Sequence, residues 1–358
     1  MPHTPTIRAA LVGAGGYAGV ELLWLLLSHP RVEVVALFGS DRRSEETPIC
    51  DLLPRFDGRC DLPIRRFELD ALLAARPEVV FLATPHEFSH DIVPALLDAA
   101  IVAIDLSAAF RFRDPAVYPT HYGFAHARPD LLAQAVYGIA ELERDALRRA
   151  DLIACPGCYP TSAILPLRPL VEAGLLRRDR PVIIDSTSGV SGAGRKAVLK
   201  THFCEVSLQA YGVFSHRHRP EIAAGTGLDV VFTPHLGAFD RGILSTIHAW
   251  LAPGADERAV RDELARRYAS EPFVQMLPAG RWPAIADVRG FHACRFGLAV
   301  EEDHLLVESA IDNLLKGAAS QAVQCLNNRF DFSLDDGLGP AADPGIYARR
   351  GGEVSCPC

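Results

Sequence analysis

Blocks of lysine and arginine are missing from this chain, and so is any long apolar run. Its 36 Lys and Arg are outnumbered by 44 Asp and Glu, for a formal net charge of −8. With no basic cluster to meet a phosphate backbone, a nucleic-acid partner is not expected. The longest apolar stretch, VELLWLLL at 20–27, is far short of the roughly 20 residues a membrane span needs. The opening MPHTPTIRAALVGAGG has no basic leader and no separate apolar segment, so it does not read as a signal peptide. A soluble, cytoplasmic protein with no membrane partner is the expectation. Internal repeats and low-complexity tracts are absent too. Cysteine is present nine times, an odd number scattered through 358 residues, which excludes a secreted disulfide framework and makes reduced thiols the default. Only the end, DDGLGPAADPGIYARRGGEVSCPC, lacks core formers, and a flexible tail is expected over 337–358.

What is there is enough apolar material, 49% of residues, for two buried cores. Ile7 to Val12 reads as a strand, GAGGYAG as a turn, VELLWLLLSH as a helix and VEVVALF (32–38) as a second strand. That order within about 30 residues is the setting of a dinucleotide fingerprint. Gly13, Gly16 and Gly19 give G-x-x-G-x-x-G, while Gly13, Gly15 and Ala18 give G-x-G-x-x-A. Glycine permits the tight turn and the close approach of a pyrophosphate to the helix N-terminus. These glycines and Tyr17 are candidate cofactor contacts. At the end of the second strand stand Gly39-Ser40-Asp41-Arg42-Arg43-Ser44. Ser40, Arg42 and Arg43 suit the 2′-phosphate of NADP better than the ribose hydroxyl of NAD, because guanidinium forks bind phosphate oxygens. Asp41 argues the other way, and a solvated charged loop is the plain alternative.

Strand and helix keep alternating through EVVFLATP (78–85), HEFSHDIVPALLDAA and IVAIDLS (101–107). Pro85 lies at a strand's C-terminal end, where open α/β sheets bind ligands. The adjacent His86 reads as a wall or capping residue. Arg111, just past the next strand end, reads equally as an anion-binding or a surface arginine. The first domain is expected over 1–155.

Residues 155–161 read CPGCYPT. A thioredoxin-like pair belongs near the first strand–helix junction of a small domain, and this one follows a complete nucleotide-binding unit. A structural zinc needs four ligands, and the only other close pair is Cys356–Cys358. Nucleophilic catalysis by one thiol remains. Cys158 stands directly before a helical run, where the dipole and free N–H groups lower a thiol's pKa. Cys155 closes the strand LIAC and reads as a buried, inert thiol. Downstream, YGVFSHRHRPEI (211–222) offers His216 and His218 as bases, with Pro220 suited to a first helical turn and Glu221 beside it. Local spacing does not say which histidine faces Cys158. A metal reading would want a further ligand beside Glu221. DSTSGVSGAGR (185–195) reads as a strand leading into a turn rich in N–H groups, with Arg195 and Lys196 adding positive charge; a surface loop is the alternative.

Together these blocks resemble the N-acetyl-γ-glutamyl-phosphate reductases of arginine biosynthesis, within the aspartate-semialdehyde dehydrogenase-like superfamily. GAGGYAGVELLWLL, DLSAAFRF, PGCYPT, SGVSGAGR, HRHRPEI, FTPHLGAFDRGILSTI and DNLLKGAASQAVQ occur in that family's order over nearly the whole chain. The resemblance implies an α/β fold: a Rossmann dinucleotide-binding domain plus an α+β catalytic and oligomerisation domain over 156–310. A helix at 311–330 would return to the first domain. It implies Cys158 as nucleophile and His218 as acid–base partner. Arg111, Ser188, Gly189, Tyr211 and Glu221 would lie in the substrate pocket, and Pro85, Ser191, Gly192 and Asn313 on the cofactor side. It further implies NADP, a small acyl-phosphate substrate, no metal, and a homo-oligomer (dimer or tetramer). The activity implied is NADPH-dependent reduction of N-acetyl-γ-glutamyl phosphate to the 5-semialdehyde through a cysteine thioester. A reductase of carrier-protein-linked aminoadipyl or glutamyl phosphate is the rival, with aspartate-semialdehyde dehydrogenase and a nucleotide-sensing protein behind it. Three positions depart from the family: Cys155 stands for Asn, Ala140 for Pro in Gly-Leu-Pro-Glu, and Ala109 for Asp in DLSADFR.

Overall fold

A computed structural model describes residues 6–39 and 46–339. Ser40, Arg42 and Arg43 lie outside the described residues, as does the tail from 340 onward. Strands β1 (Ile7–Val12), β2 (Val32–Phe38), β3 (Thr47–Pro48), β4 (Pro63–Arg65), β5 (Val79–Leu82), β6 (Val102–Asp105), β7 (Val136–Tyr137) and β8 (Leu152–Ala154) form one sheet. Their order is β3-β4-β2-β1-β5-β6-β8-β7, and every pairing except β3–β4 is parallel. Runs such as Val79-Val80-Phe81-Leu82 are buried at every position, as expected of parallel strands covered on both faces. The glycine turn and the helix Tyr17–Ser28 follow β1 directly.

A second sheet holds β9 (Val182–Ser188), β10 (Gln209–Ala210), β11 (Val230–Leu236), β12 (Ile243–Trp250), β13 (Val274–Met276), β14 (Cys294–Glu301) and β15 (His304–Ile311), ordered β10-β11-β9-β12-β15-β14-β13. Along β12 burial alternates residue by residue, the period-two signature of a sheet with one face on a core. That core face packs the helix Cys158–Glu172, whose Ile164, Leu167 and Leu170 join Ile184, Ile247 and Val307.

The helix expected over 311–330 begins later. Ile311 closes β15, and a π-helical turn, Leu315–Ala319, precedes the α-helix Ser320–Arg329. Leu315, Ala319, Ala322, Val323 and Leu326 pack on Leu22, Leu23 and Leu26 of the Tyr17–Ser28 helix, so the C-terminal helix does return to the first core. The start of the expected tail is also packed: Leu338 is buried, and a Cβ on Gly337 would lie 2.4 Å from the His29 ring. No helix among the described residues is long and apolar enough to cross a membrane.

Candidate active site

The glycine loop divides its work. Gly13 has φ +89°, and a Cβ there would sit 2.2 Å from the Ala83 carbonyl oxygen; a Cβ on Gly19 would sit 2.2 Å from that of Gly13. Those two glycines let loop, strand and helix close on each other. Gly15 has nothing within 4 Å of its missing side chain, and Gly16 caps the helix Tyr17–Ser28. An open glycine beside a helix N-terminus fits a dinucleotide pyrophosphate. The cleft over it is lined by Gly16, Tyr17, Pro85, Ser191, Gly192 and Asn313. Asn313 accepts the Gly242 N–H (2.7 Å) and donates to Ser191 Oγ (3.0 Å), while Arg195 donates to the Gly15 carbonyl at 2.9 Å. The 188–195 turn is thus strapped to both domains. His86 is a wall residue, within 3.2 Å of the Tyr122 carbonyl.

Cys158 is the first residue of its helix, with Gly157 as extended N-cap. It is partly exposed and lines the dinucleotide cleft and a second cleft of about 480 Å³. The second cleft is lined by Ser188, Gly189 and Tyr211; the Tyr211 and Tyr159 hydroxyls are 3.0 Å apart. His218 starts the helix His218–Thr226, and a Cβ on Gly157 would lie 2.5 Å from its Nε2. Two helix N-termini therefore meet at Cys158. This answers which histidine faces it: the His218 ring abuts Gly157, whereas His216 packs on Tyr159, Tyr211 and Phe232 and accepts the His218 N–H. Among the described residues His216, His218 and Glu221 form no metal-holding cluster. Cys155 is fully buried, its thiol in contact with that of Cys325.

Glu221 and Arg111 are bonded to each other beside Cys158, and Arg111 lines the cleft that Cys158 borders. The Glu221 carboxylate accepts the Gly157 N–H (2.8 Å), the Tyr137 hydroxyl (2.7 Å) and Arg111 Nη1 (3.1 Å). Arg111 also donates to the Cys155 and Leu106 carbonyls. Its guanidinium resists burial because Glu221 holds it charged. The pair clamps the backbone on both sides of the Pro156–Gly157 turn, and neither residue lines the cleft of Tyr211 and Ser188.

The ionisation of Cys158 departs from the expectation of a lowered pKa. Burial pushes the Cys158 thiol up to about 11; the nearby Glu221 charge adds to this, and the Tyr159 N–H, Arg111 and Arg217 only partly oppose it. The helix terminus is outweighed by desolvation. Burial, reinforced by His216 and by Arg111 and Arg217, holds His218 well below its ordinary value. At neutral pH the pair is a thiol beside a neutral imidazole.

Sequence reasoning missed Gly317, Lys316 and Arg217. A Cβ on Gly317 would lie 2.7 Å from Cys158 Cβ. The fully buried Lys316 pairs with Glu141 and Gln324. The signal was the Lys-Gly step in DNLLKGAA and the arginine between the two histidines.

A dinucleotide cleft that opens onto a cysteine and a histidine borne by an α+β sheet defines a semialdehyde dehydrogenase. The family description "Semialdehyde dehydrogenase, NAD binding domain" matches residues 8–150, and "Semialdehyde dehydrogenase, dimerisation domain" matches 158–313. Within that class the chain belongs to the N-acetyl-γ-glutamyl-phosphate reductase family. It is 50% identical over 333 residues to the N-acetyl-gamma-glutamyl-phosphate reductase of Salmonella typhi and 48% identical to that of Escherichia coli (strain K12). Each match covers 93% of this chain and 99% of the relative. Aspartate semialdehyde dehydrogenase II from Vibrio cholerae shares the fold, with TM-score 0.68 at 18% identity over 90% of this chain and 98% of that one.

Proposed function

We propose that the chain reduces N-acetyl-γ-glutamyl phosphate to N-acetylglutamate 5-semialdehyde, releasing phosphate, with NADPH as reductant, in arginine biosynthesis. The observation that carries this reading is the meeting of Cys158 and the His218 ring where the two clefts join. Cys158 Sγ attacks the acyl carbon as its proton passes to neutral His218. The S–C bond forms, the C–O bond to phosphorus breaks, and the departing phosphate takes the electron pair and the proton from His218. The first N–H groups of the Cys158–Glu172 helix hold the carbonyl oxygen, a contact typically worth about 3 kcal/mol; the N–H groups of residues 189–192 are already bonded to backbone carbonyls. Bound NADPH supplies the two electrons that bring the thioester to the aldehyde level. His218, reprotonated from water, protonates the carbonyl oxygen, and scission of the S–C bond releases the aldehyde and restores the thiol.

In this reading Gly13 and Gly19 shape the dinucleotide loop, and Gly15, Gly16, Tyr17, Pro85, Ser191, Gly192 and Asn313 border the cofactor. Ser188, Gly189 and Tyr211 receive the acyl chain. Residues 1–155 act as the dinucleotide-binding domain and 156–310 as the catalytic and oligomerisation domain. Copies associate through the part of the chain that matches the dimerisation-domain description, residues 158–313. Relatives that share half their residues with the chain carry the acetylated substrate in their names, so the carrier-linked alternative is set aside.

The test is NADP reduction by N-acetylglutamate 5-semialdehyde in the presence of arsenate. Turnover with that aldehyde and little with aspartate semialdehyde or a carrier-linked aldehyde is expected. Preference for either of the latter would overturn the reading.

A further inference from the structure

Four positively charged side chains line the two clefts beside Cys158: Arg111, Arg195, Lys200 and Arg217. Arg111 is enclosed and bonded to Glu221 and to two backbone carbonyls. Arg195 is tied to the Gly15 carbonyl. Lys200 borders only the Tyr211 side. Arg217 alone borders both clefts, and its guanidinium has no hydrogen bond or ion pair among the described residues. Its backbone is fixed: the carbonyl accepts the Tyr122 hydroxyl at 3.1 Å, and the residue caps the helix that begins with His218. A free, exposed cation is thus anchored one residue from the proposed base, at the junction where the acyl carbon must sit.

The substrate read above carries two anionic ends. Its carboxylate lies several bonds from the reacting carbon, whereas its phosphate is attached to it. The charge on that phosphate grows as the C–O bond breaks. A guanidinium fork at the junction matches phosphate oxygens in pairs, and its stabilisation increases toward the transition state. We propose that Arg217 is a catalytic residue that binds the phosphoryl group of the substrate and stabilises phosphate as it leaves Cys158's acyl carbon. Lys200, on the Tyr211 side alone, is left to the distant carboxylate. The same charge opposes protonation of His218, which keeps the base neutral until the dianion arrives.

This inference rests on the proposed substrate, and the reverse reaction separates the two. Wild-type protein, N-acetylglutamate 5-semialdehyde and NADP are assayed across phosphate concentrations, beside Arg217→Ala and Arg217→Lys. The expected result is a phosphate KM raised roughly 10- to 100-fold in Arg217→Ala, the scale of one charge-assisted contact. Arg217→Lys should be intermediate, the aldehyde KM should stay within about threefold, and added guanidinium ion should restore part of the loss in Arg217→Ala. Thermal unfolding of both variants should match wild type, since the side chain is exposed. A wild type that turns over while Arg217→Ala keeps its phosphate KM overturns the role of Arg217 alone. So does a variant whose aldehyde KM rises instead, which would make Arg217 the carboxylate reader. Absence of wild-type turnover overturns the substrate reading and this inference with it.

Discussion

Replacing Gly317 by alanine adds one methyl group beside Cys158, 159 residues away in sequence and in contact in space. The ideal Cβ would lie 2.7 Å from Cys158 Cβ, 3.2 Å from Cys158 Cα and 3.2 Å from Ile311 Cδ1. Carbon atoms in contact prefer about 3.5–4.0 Å, so roughly 1 Å of separation must be found. Both partners are backbone-borne: Cys158 opens a helix whose N-cap N–H is held by Glu221, and Gly317 N–H is bonded to the Asp312 carbonyl at 2.9 Å. Gly317 is not among the glycines with positive φ, so alanine meets no backbone strain. In a helical turn it gains about 1 kcal/mol over glycine, against about 1–3 kcal/mol for overpacking. The net loss of stability is about 0–2 kcal/mol. Catalysis is more sensitive, because a 1 Å misplacement of a reacting atom costs on the order of 100-fold. Gly317→Ala should therefore lower kcat roughly 100-fold while thermal unfolding moves by a few degrees. Both are measured on the same preparation by arsenate-dependent NADP reduction and a melting curve. A kcat within threefold of wild type at an unchanged melting temperature would refute the claim that this contact fixes the nucleophile.

Cys158→Ser should abolish turnover and leave NADPH binding intact by fluorescence titration, whereas Cys155→Ser should stay active, because residue 155 offers the site only its carbonyl. With the Cys158 thiol pushed up to about 11, its reactive thiolate is the minor form at neutral pH and grows as pH rises. Inactivation of the free protein by iodoacetamide should accelerate about tenfold per pH unit from 7 to 9, and a plateau below pH 8 would contradict the assignment. Glu221→Ala leaves the Arg111 charge enclosed without its partner, and urea unfolding should register a loss of about 3–5 kcal/mol. A change under 1 kcal/mol would show that water reaches Arg111.

What the sequence disclosed, it disclosed through local chemistry. Gly13 and Gly19 are legible because a strand–turn–helix needs glycine where backbones touch, and Cys158 because a thiol before a helical run stands at a dipole's positive end. The clamp of Glu221 on Arg111 and Gly157 was not legible, since it joins residues 110 and 64 positions apart. The resemblance to the family put both residues in the substrate pocket and gave no hint of their bond to each other. Local spacing left the choice between His216 and His218 open for a related reason: two rings two residues apart on a loop diverge only once one of them opens a helix. The last helix starts later than expected because the apolar residues of LLVESAIDNLLKGAA run on past the end of the strand. Strand β15 and the π-helical turn share that run, and only Asp312, whose Oδ1 accepts the Leu314 and Leu315 N–H groups, marks the change.

The ionisation state is the least local property of all, and it changes how the site works. A resident thiolate–imidazolium pair would place two more ions where Arg111 and Glu221 already stand. Burial instead raises the thiol and lowers the imidazole, so both are neutral until a carbonyl is in place. In the proposed mechanism, proton transfer from Cys158 to His218 is then coupled to bond formation, and the charge that appears moves onto the acyl oxygen and the phosphate. Those are the positions proposed above for the helix N-terminus and for Arg217, which borders both clefts. The same arrangement keeps a partly exposed cleft cysteine as a thiol when no substrate is bound, which slows alkylation and oxidation of the residue on which the proposed chemistry depends.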